Sequence, residues 1–153
     1  MGIDFNAVPT PCYIIDEDLL VKNLKVLESV RKRTGASILL AQKGFSMFSV
    51  YPLIGEYLDG VTSSSLFEAR LGYEHMGKEV HVYAPAYRED EFDELLKYCD
   101  HIVFNSFSQW RRFKGRVKSY APKKIECGIR INPEYSEIKT PIYDPCYKNS
   151  RLG

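Results

Sequence analysis

The sequence has no long apolar run, no excess of charge of one sign and no cysteine pattern, and each absence removes a class of function. No stretch approaches the roughly 20 apolar residues that a membrane-spanning helix requires. The start, Met1-Gly2-Ile3-Asp4-Phe5, lacks the basic residues and apolar core of a secretory leader, so a cytoplasmic address and no membrane partner are expected. With 21 basic against 20 acidic residues and a net charge of +1, no global field draws the chain toward nucleic acid. The four cysteines, Cys12, Cys99, Cys127 and Cys146, form no CxxC pair, and His75, His81 and His101 have no ligand spacing among themselves. Neither a disulfide framework nor a metal site is expected. Cys99 and Cys127 sit among apolar residues and read as small core hydrophobes. A glycine-rich GxGxxG turn is also missing, which leaves a dinucleotide-binding sheet without its phosphate contact.

What is present is a regular alternation. The chain has 153 residues, 44% hydrophobic and 27% charged, enough for one core. Runs rich in β-branched and apolar residues fall at 12–15, 37–41, 60–63, 80–84, 101–105 and 125–131. Between them, apolar residues recur at three and four, the period of a helix lying on a sheet. Leu20, Leu24, Leu27 and Val30 form one such face, and Val50, Ile54, Tyr57 and Leu58 a second. Leu66, Ala69, Tyr73 and Met76 form a third, Phe92, Leu95, Leu96 and Cys99 a fourth, and Trp110, Phe113 and Val117 a fifth. Asp16 and Ser108 are placed to cap helix starts, and Gly35, Gly60 and Gly77 fall where helices should stop.

This is the signature of an α/β fold built from βα units with parallel strands. From residue 37 the strands recur every 20 to 25 residues or so, regular enough to suggest a (β/α)8 TIM barrel. A full barrel takes about 250 residues, so about five βα units and a partial barrel are expected. The segment 133–153 has no clear period and ends without a polar cap, which reads as mid-protein.

Lys43 follows the apolar strand ending Leu39-Leu40-Ala41 and precedes Gly44-Phe45, which puts it at the carboxyl end of a strand, the catalytic end of a barrel. A lysine amine there can form a Schiff base with an aldehyde cofactor. Thr10-Pro11-Cys12-Tyr13, Asp16 and Leu39-Leu40-Ala41-Gln42-Lys43-Gly44-Phe45, in that order, resemble the opening of the fold type III pyridoxal phosphate decarboxylases and alanine racemases. Further stretches are similar to the carboxynorspermidine/carboxyspermidine decarboxylase branch: Ser64-Ser65-Leu66-Phe67-Glu68-Ala69-Arg70, His81-Val82-Tyr83-Ala84-Pro85, Phe104-Asn105-Ser106, Arg130-Ile131-Asn132-Pro133 and Tyr143-Asp144-Pro145-Cys146.

The resemblance covers nearly the whole chain after Val8, and it implies pyridoxal 5'-phosphate as cofactor, Lys43 as the catalytic residue that holds it, and Arg130 and Glu68 as further cofactor contacts. It also implies that residues 1–35 form an N-terminal strand and helix, the strand being one piece of a β-domain that is otherwise absent. Residues 36–153 are then the N-terminal part of a truncated pyridoxal phosphate-binding barrel. The implied substrate is a small carboxylated polyamine, decarboxylated to norspermidine or spermidine in polyamine biosynthesis, with the complete enzyme a homodimer and this chain alone inactive. Gln42 departs from the apolar residue usual before the lysine, but its side chain should point away from it. Arg151 echoes an Arg-Leu-Gly motif of alanine racemases. Two other readings stand beside this one: a non-catalytic fragment acting through subunit contacts, or a related enzyme such as a diaminopimelate decarboxylase. The basic helix with Trp110, Arg111, Arg112, Lys114, Arg116 and Lys118 reads as a solvated face and not as an RNA surface.

Overall fold

The computed structural model describes residues 4–153, so Met1, Gly2 and Ile3, on which the leader reading partly rests, lie outside the described residues. Helix α1, Glu17–Thr34, begins where Asp16 Oδ1 accepts from the Leu19 amide at 3.0 Å. Glu17 and Asp18 fill its first turn and Arg31, Lys32 and Arg33 its last, each set opposing the dipole at its end. It stops at Gly35, whose φ of 71° is the left-handed cap that a Cβ disfavours.

Five short strands follow: β1 Leu39–Ala41, β2 Gly60–Ser63, β3 Glu79–Tyr83, β4 His101–Phe104 and β5 Glu126–Ile129. Helices alternate with them: α2 Tyr51–Gly55, entered through a 3-10 turn, α3 Leu66–His75, α4 Phe92–Tyr98 and α5 Phe107–Ser119. The sheet runs β1-β2-β3-β4-β5, every pair parallel, with no reversal of order. Right-handed crossovers in a sequential sheet put all the connecting helices on one face. Burial agrees with this. On β3, Val80 and Val82 are buried while Glu79, His81 and Tyr83 are not, and on β4 Ile102 and Phe104 are buried between partly exposed His101 and Val103. Parallel sheets are ordinarily covered on both faces; here one face carries the core and the other is uncovered.

The helix-side core is aromatic toward its β4 end. Phe92 and Phe113 stack at 4.1 Å, and Tyr87 meets Phe92, Phe104 and Phe113 edge-on. The Tyr87 hydroxyl donates to Val103 O at 2.8 Å, so the ring is tied to β4 as well as packed, and burial pushes its phenol pKa up. Outside this core, Arg116 reaches Glu89 and Asp93, each at 2.7 Å, and Arg112 also pairs with Glu89. The basic stripe of α5 is therefore partly neutralised by Glu89 before α4 and Asp93 in its first turn.

Acids at strand entries fix the register. Asp59, just before β2, accepts from Ile38 N at 2.9 Å and from the Arg31 guanidinium at 2.7 Å, joining α1, β1 and β2. Asp100, just before β4, accepts from Val80 N and from Lys123 Nζ, both at 2.9 Å.

Several expectations need correction. Residues 12–15 form no strand; Tyr13 is 93% exposed, and no strand among the described residues lies beside them to supply a ladder. The cap of α5 is Ser106, which accepts from Gln109 N at 3.2 Å, while Ser108 only meets the Ser106 hydroxyl. Gly77 does follow α3 with a φ of 65°, but Gly60 ends no helix. It opens β2 where a Cβ would lie 2.0 Å from Glu79 O, so close strand approach demands a glycine there. Cys99 is buried, with its thiol pushed up to about 12 by desolvation, whereas Cys127 is exposed because β5 is an edge strand. No helix among the described residues is long and apolar enough to cross a membrane.

Two outcomes follow from this packing. Gly60→Ala should cost about 3 kcal/mol or more in urea unfolding, because the obstacle is backbone and cannot rotate away; a cost within about 0.5 kcal/mol would contradict the close approach. The Arg31 guanidinium, with the Ile38 amide, holds the Asp59 carboxyl below its ordinary range. Its contribution is therefore complete above about pH 4, the unfolded value, and is lost as pH falls through the lower folded value. Stability of the wild type should consequently fall more steeply below about pH 4 than that of Arg31→Gln; parallel acid limbs would remove this ion pair from the account.

Candidate active site

The carboxyl end of β1 is organised by one buried amide. Gln42 is 1% exposed, on the helix side of the sheet. Its Nε2 donates to Ser63 Oγ at 2.7 Å and to Glu68 O at 2.8 Å, and its Oε1 accepts from the Tyr51 hydroxyl at 3.2 Å. One side chain thus links the ends of β1 and β2 to α2 and α3. The Gln42 amide continues the ladder by donating to Thr62 O at 3.2 Å.

β1 ends at Ala41, and Gln42, Lys43 and Gly44 form the turn that follows it. Lys43 is exposed and has no hydrogen bond or ion pair among the described residues. Its backbone is nevertheless held: Gly44 N and Phe45 N donate to Ala41 O at 2.9 and 3.2 Å, and Ser46 Oγ donates to Gln42 O at 2.5 Å. A fixed turn carrying an uncommitted primary amine is a suitable support for covalent attachment of a carbonyl compound.

At the far edge of the sheet, Arg130 N donates to Phe104 O at 2.9 Å and extends β5 by one residue. Ile129 pairs with Phe104 in register on the helix side, which leaves Arg130 for the uncovered face. There its guanidinium lies 5.1 Å from the centroid of the Tyr83 ring. The Tyr83 hydroxyl donates to Asn105 Oδ1 at 2.6 Å, Gly153 N donates to the same oxygen at 2.9 Å, and Asn105 Nδ2 donates to Arg151 O at 2.9 Å. Arg130, Tyr83, Asn105 and the backbone of Arg151 and Gly153 therefore form one polar group beside the ends of β3, β4 and β5. The sequence singled out Arg130 but gave Tyr83 and Asn105 no role, although both stand in the resembling stretches.

Glu68 stands at the start of α3. Its Oε2 accepts from Ser64 N at 2.6 Å, while its own amide donates to Ser65 Oγ at 3.2 Å, a reciprocal cap of the helix N-terminus. One carboxylate oxygen is spent on the turn after β2, and Oε1 has no partner among the described residues. Lys43, Glu68 and Arg130 share the carboxyl end of the sheet but are not in contact. Lys43 and Arg130 belong to opposite edge strands, four strand spacings or about 19 Å apart along the sheet.

No family model matches the chain. It is 43% identical over 148 residues to a carboxyaminopropylagmatine decarboxylase of Synechocystis sp., covering 97% of this chain and 38% of that protein. Carboxynorspermidine/carboxyspermidine decarboxylases of Campylobacter jejuni and Herminiimonas arsenicoxydans are 42% and 44% identical over 97% and 95% of the chain, and over 38% and 39% of their own lengths. The crystal structure of carboxynorspermidine decarboxylase from C. jejuni, complexed with norspermidine, superposes with a TM-score of 0.83 at 41% identity. It is matched over 95% of this chain and 36% of that one. The chain therefore spans less than two-fifths of the length of these relatives.

If Gln42 is the anchor described, Gln42→Leu should destabilise the fold by about 2 kcal/mol or more, since Ser63 Oγ and the Glu68 carbonyl lose a buried partner while the volume is kept. Urea unfolding with an unchanged midpoint would show that these groups find other partners.

Proposed function

The chain is a homologue of the carboxynorspermidine/carboxyspermidine decarboxylases along about two-fifths of their length, and on that premise we propose that it forms the lysine-bearing part of such an enzyme. Its sheet is then five strands of a (β/α)8 barrel, with residues 36–153 in the barrel and residues 1–35 leading into it. A sequential, all-parallel sheet with helices on one face supports this, because closing it turns the uncovered face inward and shortens the path from Lys43 to Arg130.

The proposed cofactor is pyridoxal 5'-phosphate, and the observation that carries the proposal is the uncommitted amine of Lys43 on a turn fixed at the end of β1. The residues present fit the aldehyde end of the cofactor; its phosphate end has no candidate among the described residues. When bound, the cofactor supplies an electron sink for the pair released as carbon dioxide leaves. Lys43 would hold the cofactor through its amine, and the same amine, when free, would carry a proton to or from the substrate. Arg130, set by Tyr83 and fixed in the β5 ladder, would supply positive charge to the anionic cofactor. Glu68 holds the turn after β2 and keeps Oε1 for a cofactor contact.

The substrate class is a carboxylated polyamine, carboxynorspermidine or carboxyspermidine, with carboxyaminopropylagmatine a second member favoured by the name of the Synechocystis relative. A homodimer in the cytoplasm completes the proposal, and residues 1–153 alone are expected to be inactive.

The test joins these residues to the missing barrel strands, in one polypeptide or two, and follows carbon dioxide release with added pyridoxal phosphate. One of the three carboxylated polyamines should be turned over and diaminopimelate should not. Lys43→Ala should lower kcat by about a hundredfold or more, and Arg130→Ala should weaken cofactor binding by about tenfold, 1.4 kcal/mol. Turnover of diaminopimelate alone, or full activity without Lys43, would overturn the reading.

A further inference from the structure

We propose that His81, His101 and Glu79 form a binding site for a divalent transition metal of the zinc class on the uncovered face of the sheet, near its amino end. The strand pairing creates it. His81 and His101 are twenty positions apart in sequence, yet the β3–β4 register sets them side by side, and their rings stack at 3.9 Å with 19° between planes. Glu79 lies two residues before His81, on the same face of β3. Its Oε2 is 3.0 Å from His81 Nε2 and 3.9 Å from His101 Nε2. The three ligand atoms all lie within 4.8 Å of one another.

These separations suit a small four-coordinate ion. With metal–nitrogen and metal–oxygen bonds of about 2.0–2.2 Å, tetrahedral geometry puts neighbouring ligand atoms about 3.4 Å apart. The two distances from Glu79 fall on either side of that value, and the imidazoles would turn out of their stack to bring both Nε2 lone pairs onto one ion. The backbone beneath is a hydrogen-bonded parallel ladder, which holds such geometry better than loops do. Two imidazoles and one carboxylate favour zinc, cobalt or nickel over calcium or magnesium, which require mostly oxygen ligands. Both histidines are reachable, with side chains 27% and 36% exposed, and Thr62 is the register neighbour of His81 on β2. Glu126, the register neighbour of His101, is paired with Lys124. The inference does not rest on the decarboxylase reading, since it uses none of that site's residues.

The experiment titrates the full chain with Co2+, read by its visible absorption, and then with Zn2+ in competition with a chromogenic chelator. One ion per chain should bind, with a tetrahedral cobalt spectrum and no thiolate charge-transfer band in the near ultraviolet. His81→Gln and His101→Gln should each weaken binding by at least about tenfold, while His75→Gln on α3 should leave it unchanged. Glu79→Gln, at a half-exposed position that bears no core packing, should weaken it too and guards against a histidine variant that fails to fold. No stoichiometric uptake, a thiolate band, or affinity unaltered in Glu79→Gln and the foldable histidine variants would overturn the proposal.

Discussion

A buried amide must satisfy its hydrogen bonds or the fold bears the cost of desolvating them, and Gln42 meets that constraint at the point where the sheet, two helices and the turn bearing Lys43 converge. Its three partners belong to α2, the end of β2 and the first turn of α3. Because they all lie on the helix side, the direction of Gln42 is fixed, and Lys43, next in the turn, is left exposed. An apolar residue at position 42 could fill the same volume, but it would leave Ser63 Oγ and the Glu68 carbonyl without this donor. Gln42 therefore ties down the end of the strand.

The two faces of the sheet divide the labour. On the helix side lie Val61, Val80, Val82, Ile102 and Phe104, each buried, and the aromatic cluster around Tyr87. The opposite face carries Glu79, His81, Tyr83, His101, Asn105 and Arg130, polar groups that a solvent-facing or cavity-facing surface tolerates and a packed apolar core does not. At its carboxyl end this polar face holds the Arg130 guanidinium, with the exposed Lys43 on the turn after β1 at the opposite edge; near its amino end it holds the imidazole pair.

Much of this was legible in the sequence because it depends on local periods. The five helical faces and the five sheet strands were marked by spacings of three and four and by β-branched runs, and Asp16 and Gly35 by the chemistry of helix ends. The segment 12–15 shows the limit of such reasoning: its composition is that of a strand, but a strand needs a neighbour, and none lies beside it among the described residues. Gly60 and Cys127 failed for the same kind of reason, since close approach of β3 and the edge position of β5 are tertiary facts. Lys43, Glu68 and Arg130 were singled out through ordered motifs. Tyr83 and Asn105 stand in such motifs but were given no role, and the pairing of His81 with His101 was not legible, because strand register brings those residues together and no sequence spacing encodes it.

The relatives are decarboxylases more than twice as long as this chain, matched at 41–44% identity, and the account attributes to Lys43 the covalent contact on which their chemistry would depend here. The most direct measurement is borohydride reduction of the protein with pyridoxal phosphate bound, followed by peptide mapping. The account expects a single stoichiometric label on the peptide containing Lys43, absent from Lys43→Ala. Label spread over many lysines, fixed on another lysine, or retained at the same stoichiometry in Lys43→Ala would contradict it.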